Sequence, residues 1–263
     1  MCTSMYCNIL QSIEIINAIA AVVVFAIAAF LDWRYREIPV KLWVPPILIG
    51  FATNIIYYTT YVSALTMILN LVVLQILLST LIVIIVGIIV FVLKLMGGAD
   101  FFAVLTLCVL YPFNRFLPYI SAYAYFSKIA YLFFILPPLL HILIIYSLAL
   151  VLLMILNFVS NVRYISLLKL PKTKKTLVLL FYRVMTVEEY MNKKFYYPIY
   201  IPGLIDRLSF NIYEDDEEWK KKLQTLPKDM IIIASWGLPM ITFFSIALFI
   251  YIAVYMTLMS YCA

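Results

Sequence analysis

Between Lys41 and Lys94 the chain carries no charged residue. The 52 residues from Leu42 to Leu93 are far more than the roughly 20 that one helix needs to cross a bilayer. The polar, aromatic patch Tyr57-Tyr58-Thr59-Thr60-Tyr61 divides them. This predicts one span near 42–60 and another near 64–93, the second long enough to tilt or project. Ile15 to Leu31 forms an earlier uncharged run, and Ile129 to Val162 is interrupted only by His141. Met230 to Leu258 is read as the last span, and Phe101 to Tyr111 as a short one, broken by Pro112, Asn114 and Arg115. Composition agrees: 66% of residues are hydrophobic and 12% charged, about half the charge of an average soluble domain. An ordinary soluble enzyme, a nucleic-acid binder and a disordered chain are excluded.

The net charge of +6 reflects topology more than a polyanion partner. Arg34, Arg36 and Lys41 follow the first run, Lys94 follows the third, and 13 Lys or Arg lie in the polar block Arg163–Asp229. The intervening loops hold only Arg115 and Lys128. That imbalance is a positive-inside signature. Since Lys94 and Arg163 must share a side, the short segment near 100–120 has to cross, with its cytoplasmic end starting inside the membrane plane. The expected fold is therefore all-α and integral to the membrane. It has six transmembrane helices, both termini outside, and a small cytoplasmic α/β insert between the fifth and sixth. The boundaries are 1–162 for the core, 163–229 for the insert and 230–263 for the sixth helix. Within the insert, Thr176–Val184 and Phe195–Ile201 are β-branched and aromatic, and Glu214–Lys222 is charged.

No Lys or Arg precedes Arg34, so the first run is expected to be a retained span and not a cleavable signal. Cys2, Cys7, Cys108 and Cys262 form no C-x-x-C pair and lack a His at ligand spacing. No metal site is expected, and a disulfide among the terminal cysteines stays open. Glu14 and Asp229 read as solvated end markers, and His141 as a packing residue.

Two acidic residues stand apart. Asp32 and Asp100 each sit at the cytoplasmic end of an apolar helix, where an ionised carboxylate is costly unless paired or hydrated. Two spans separate them, so they share a membrane face. Paired carboxylates at one water-accessible depth suit aspartyl proteolysis, one taking a proton from water while the other polarises the scissile carbonyl. Gly97, Gly98 and Ala99 before Asp100 would let backbone and substrate approach closely, with an extended peptide pairing along that strand-like segment. The plainer readings are a helix cap for Asp100 and an i,i+4 pair with Arg36 for Asp32.

At these residues the chain resembles the type IV prepilin peptidase family of GxGD-type membrane aspartyl proteases, and more narrowly the archaeal preflagellin and prepilin peptidases. Asp32, Arg34, Arg36, Ile38 and Pro39 match the first family motif. Gly97, Gly98 and Asp100 match the second, with Ala99 in place of its second glycine. The six-span layout with an insert before the last helix extends the resemblance over most of the chain. The paired CxxC motifs of bacterial members with N-methyltransferase activity are absent.

The resemblance implies an aspartic endopeptidase without cofactor or metal. It would remove a short basic leader from archaellin or pilin precursor proteins at the cytoplasmic face, with Asp32 and Asp100 as the dyad. No nucleic-acid partner is implied; the other partner is the lipid bilayer. The alternative is a proton- or ion-coupled transporter, since intramembrane carboxylates also mark ion paths. Against it, the two halves of the chain do not match, and the carboxylates share one face and not the midplane.

Overall fold

The computed structural model describes residues 4–67, 69–93, 96–115, 135–164, 171–207 and 214–260. Cys2, Cys262, Lys94 and Lys128 fall outside them, as does the side chain of Cys7. The chain divides into two units, Met1–Ser147 with Pro239–Ala263, and Leu148–Leu238.

The first unit is a helical bundle. Helix α1 (Ser4–Tyr35) contains neither Gly nor Pro. It stops where Arg36 turns left-handed (φ 61°), with its N–H bonded to Leu31 O at 3.2 Å. After a 3₁₀ turn at Val40–Trp43, α2 (Val44–Met67) opens on Pro45-Pro46, whose missing N–H groups would be unpaired there anyway. It kinks at Tyr61, inside the patch expected to divide the charge-free stretch. Helix α3 (Leu69–Gly87) runs into a π turn at Ile88–Val92. Then come α4 (Gly98–Leu110) and α5 (Pro138–Asn161), which belongs to this unit through Ser147. The final helix, α9 (Met240–Ser260), follows the break Gly237-Leu238-Pro239.

Five segments reach membrane length with apolar sequence: Ile9–Tyr35, Val40–Tyr61, Leu69–Val92, Pro138–Tyr164 and Met240–Thr257. Their outward faces carry large apolar side chains such as Leu77, Ile84, Phe91, Leu148 and Leu152. The chain is a helical multi-pass membrane protein. Membrane-length helices nevertheless number five, not six, among the described residues: α4 has 13 residues, about 20 Å against a hydrocarbon core of about 30 Å.

What holds α4 is visible residue by residue. A Cβ at Gly50 of α2 would lie 2.9 Å from Val109 Cγ1 and 3.0 Å from Val109 O, so only glycine lets the two backbones come this close. From Tyr111 to Arg115 the chain is irregular, and irregular backbone at membrane depth has to be satisfied by protein. Asn17 and Asn54 donate to Leu110 O (3.1 Å) and Val109 O (2.8 Å). Gln75 Oε1 accepts from Asn114 N–H at 2.7 Å, Ser79 donates to Pro112 O, and Tyr57 donates to Arg115 O. Arg115 is fully buried: its Nη1 meets Glu14 Oε1 at 2.9 Å, and its Nη2 donates to Asn54 Oδ1 (2.7 Å) and Leu110 O (2.8 Å).

One expectation is corrected here. Glu14 is not a solvated end marker but a buried partner of Arg115, 1% exposed. Helix α1 packs on α9, where Ala21, Ala28 and Ala247 are fully buried, and Ser245 donates to Phe25 O across the pair.

The second unit is a small α/β body. Helix α6 (Lys172–Phe181) leads to strand β1 (Arg183–Thr186) and the short α7 (Val187–Met191). Strands β2 (Tyr196–Ile201) and β3 (Ile205–Asp206), helix α8 (Asp216–Leu223) and strand β4 (Ile231–Trp236) complete it. The sheet is antiparallel in the order β1-β4-β2-β3. Alternation places Met185, Ile232 and Ala234 on one face with Tyr190, Ile201 and Leu223, and Val184 and Ile233 on the other with Val178 of α6. Of the two β-branched and aromatic runs, Phe195–Ile201 holds β2, and Thr176–Val184 covers the end of α6 and the start of β1. The sixth span, expected from Met230, begins at Met240, because 231–236 is spent on the central strand β4.

Candidate active site

Asp32 lies in the last turn of α1, on the side packed against α9, and is only 8% exposed. Its Oδ2 accepts the backbone N–H of Thr242 at 3.2 Å. That donor belongs to the first turn of α9, whose N–H groups have no partner within their own helix. Thr242 Oγ1 in turn donates to Ala29 O at 3.0 Å, clamping the start of α9 to α1. Arg36 stands 3.9 Å away as the i,i+4 partner, a long contact between partly exposed groups.

Asp100 is the third residue of α4 and partly buried. Its Oδ2 accepts Gly97 N–H at 3.0 Å while its own N–H bonds to Gly97 O, closing the first turn. The plainer readings are thus both present as contacts: Asp100 caps its helix and Asp32 pairs with Arg36. Capping does not account for where the Asp100 side chain lies. Asp100 lines a cavity with Val86, Met96, Leu143, Tyr146, Ile241 and Phe244. Ile241 and Phe244 come from the same turn of α9 that Asp32 holds through Thr242. The carboxylates lie within electrostatic reach of each other, and Tyr146 lies within reach of both. Among the described residues no direct hydrogen bond joins them.

The glycines behave differently from expectation. Gly97 is extended (φ −75°, ψ 154°), but α4 already begins at Gly98, so the strand-like segment does not run through Ala99 to Asp100. Among the described residues, a Cβ on Gly98 would meet nothing within 4 Å, and one on Gly97 would meet only Asp100 Oδ2 at 3.5 Å. Packing among the described residues does not require glycine at either place. His141 is half-buried, with Nδ1 3.1 Å from Pro137 O and its ring stacked on Tyr251. Cys108 is a partly buried free thiol, and no three His, Cys, Asp or Glu among the described residues could hold a metal.

Sequence reasoning missed Thr242 and Tyr146. Neither carries a motif, and each sits inside a largely apolar helix, so only the packing of α9 and α5 brings them to the acidic pair. No protein-family model matches this chain, no curated protein matches it, and no solved structure matches it.

Proposed function

We propose that this protein is a membrane aspartyl endopeptidase that removes short basic leaders from archaellin- or pilin-like precursors, as the motif resemblance implies. The observation that carries the reading is the convergence on one cavity wall: Asp100 lines it, and Asp32 is bonded to the helix start that forms it. One carboxylate is ionised and takes a proton from water as the water oxygen bonds to the scissile carbonyl carbon. The other is protonated and hydrogen-bonds the carbonyl oxygen as that oxygen gains the electron pair. Collapse of the tetrahedral intermediate breaks the C–N bond, the amine leaves with a proton, and a new carboxyl terminus remains. Like charge at short range keeps the pair singly protonated.

In this reading α4 supplies the fourth of six crossings, its missing length made up by the wrapped segment after Leu110. The basic residues of alternate loops put Asp32, Asp100 and the polar block 163–229 on the cytoplasmic side. Arg115, buried against Glu14, no longer counts as a loop charge.

The test uses membranes containing wild type, Asp32→Asn or Asp100→Asn, mixed with a precursor bearing a basic leader, a Gly and a hydrophobic helix. Cleavage after the Gly by wild type alone, unchanged by chelators, is the expected result. Full activity in either variant overturns the dyad.

A further inference from the structure

The cavity that holds Asp100 also holds a polar group that neither the motif nor the dyad uses. Tyr146, in the middle of α5, lines it opposite the start of α9, its ring edge-on to Phe244 with centroids 5.6 Å apart. Its hydroxyl oxygen is buried and finds no hydrogen-bond partner among the described residues. Both Asp100 and Asp32 act on it electrostatically. A phenylalanine would keep the edge-on contact and the cavity wall without burying an unpaired O–H, so packing alone does not account for the hydroxyl.

Resting on the peptidase reading, we propose that Tyr146 is a further catalytic residue: its O–H donates a hydrogen bond to the oxygen of the scissile carbonyl. As water adds to the carbonyl carbon, the C=O π pair moves onto that oxygen. The phenol holds the growing negative charge and keeps its own proton, so the proton transfers stay with the two aspartates and water. Among the described residues lining this cavity, Asp100 is the only other one with an ionisable side chain, and none of them is a lysine, arginine or histidine. Beside the protonated carboxyl, a phenol fixed on a helix is therefore a second neutral donor that can stabilise the oxyanion without adding charge beside the acidic pair.

The experiment compares full-length wild type, Tyr146→Phe and Asp100→Asn in liposomes, measuring precursor cleavage and the thermal midpoint of each. Tyr146→Phe is expected to lower kcat about 100-fold with KM within about threefold, because the bond forms only as charge develops. Its thermal midpoint should be unchanged or higher. A peptide in which a hydroxyl-bearing tetrahedral carbon replaces the scissile carbonyl should bind the variant more weakly than wild type, while the cleaved leader binds both equally. A kcat within threefold of wild type overturns the role of Tyr146 and leaves the peptidase reading standing. So does a loss of kcat that merely follows a lowered midpoint. Absence of cleavage by folded wild type overturns both.

Discussion

Replacing Arg115 with Met tests the buried network that ends α4. The substitution keeps length and apolar stem but removes the guanidinium, and Glu14 is left 1% exposed with no cation. Leu110 O keeps its bond from Asn17, and Asn54 keeps its bond to Val109 O, so those groups lose little. Most of the damage comes from the uncompensated carboxylate, which places the loss at about 3–5 kcal/mol. Removing both charges in Glu14→Leu/Arg115→Met should cost only about 0–2 kcal/mol, giving a favourable coupling of a few kcal/mol between the sites. Equilibrium unfolding in mixed detergent micelles, followed by circular dichroism, measures wild type, the two single variants Glu14→Leu and Arg115→Met, and the double variant. An Arg115→Met protein within about 1 kcal/mol of wild type would refute the reasoning. So would a double variant no more stable than Arg115→Met alone. Because this network pins the far end of the helix whose first turn carries Asp100, Glu14→Gln should leave substantial activity per folded molecule.

Gly50→Ala drives a methyl to 2.9 Å from Val109 Cγ1 and 3.0 Å from Val109 O; a loss of about 1–3 kcal/mol in the same unfolding assay is expected. Gly98→Ala meets nothing in the described chain and replaces a poor helix former in the first turn of α4. Its stability should be unchanged or raised by up to about 1 kcal/mol, while the bulkier Gly98→Val lowers kcat/KM if substrate passes there; equal kinetics would remove substrate approach as the reason for the glycine. In the second unit, Arg207 grips Glu214 with both terminal nitrogens and also bonds to Pro198 O, and Glu214 accepts from Trp219. Arg207→Ala should therefore lower that unit's resistance to limited proteolysis, at a cost of about 2 kcal/mol, without moving the bundle's own unfolding.

The helices were legible because water and lipid impose opposite demands on charge, and 52 uncharged residues leave few alternatives. Asp32 and Asp100 were legible for the same reason, as ionisable groups at the ends of apolar runs. Strand β4 was not, since Ile231-Ile232-Ile233-Ala234 is as apolar as the helix that follows. The punctuation Gly237-Leu238-Pro239 was the available signal that one run held two elements. Glu14 misled because its partner lies 101 residues away, in a segment that reads as a loop. Long-range pairing of that kind leaves no local trace. Gly97 and Gly98 were read as a strand because glycine permits one, yet Asp100 capping Gly97 N–H commits the backbone to helix one residue later. The Thr242–Asp32 bond spans 210 positions and depends on how α9 packs against α1, which no spacing rule reports.

The central claim is that Asp32 and Asp100 together hydrolyse a peptide bond. The most direct test is purified protein in liposomes carrying an interior pH dye, supplied with leader-bearing precursor, with hydrolysis and proton flux followed in the same sample. The prediction is a single cut after the leader's Gly by wild type, none by Asp32→Asn or Asp100→Asn, and no proton movement in any of them. Proton flux that both variants abolish, with the precursor left intact by folded wild type, would contradict it and assign the carboxylates to transport.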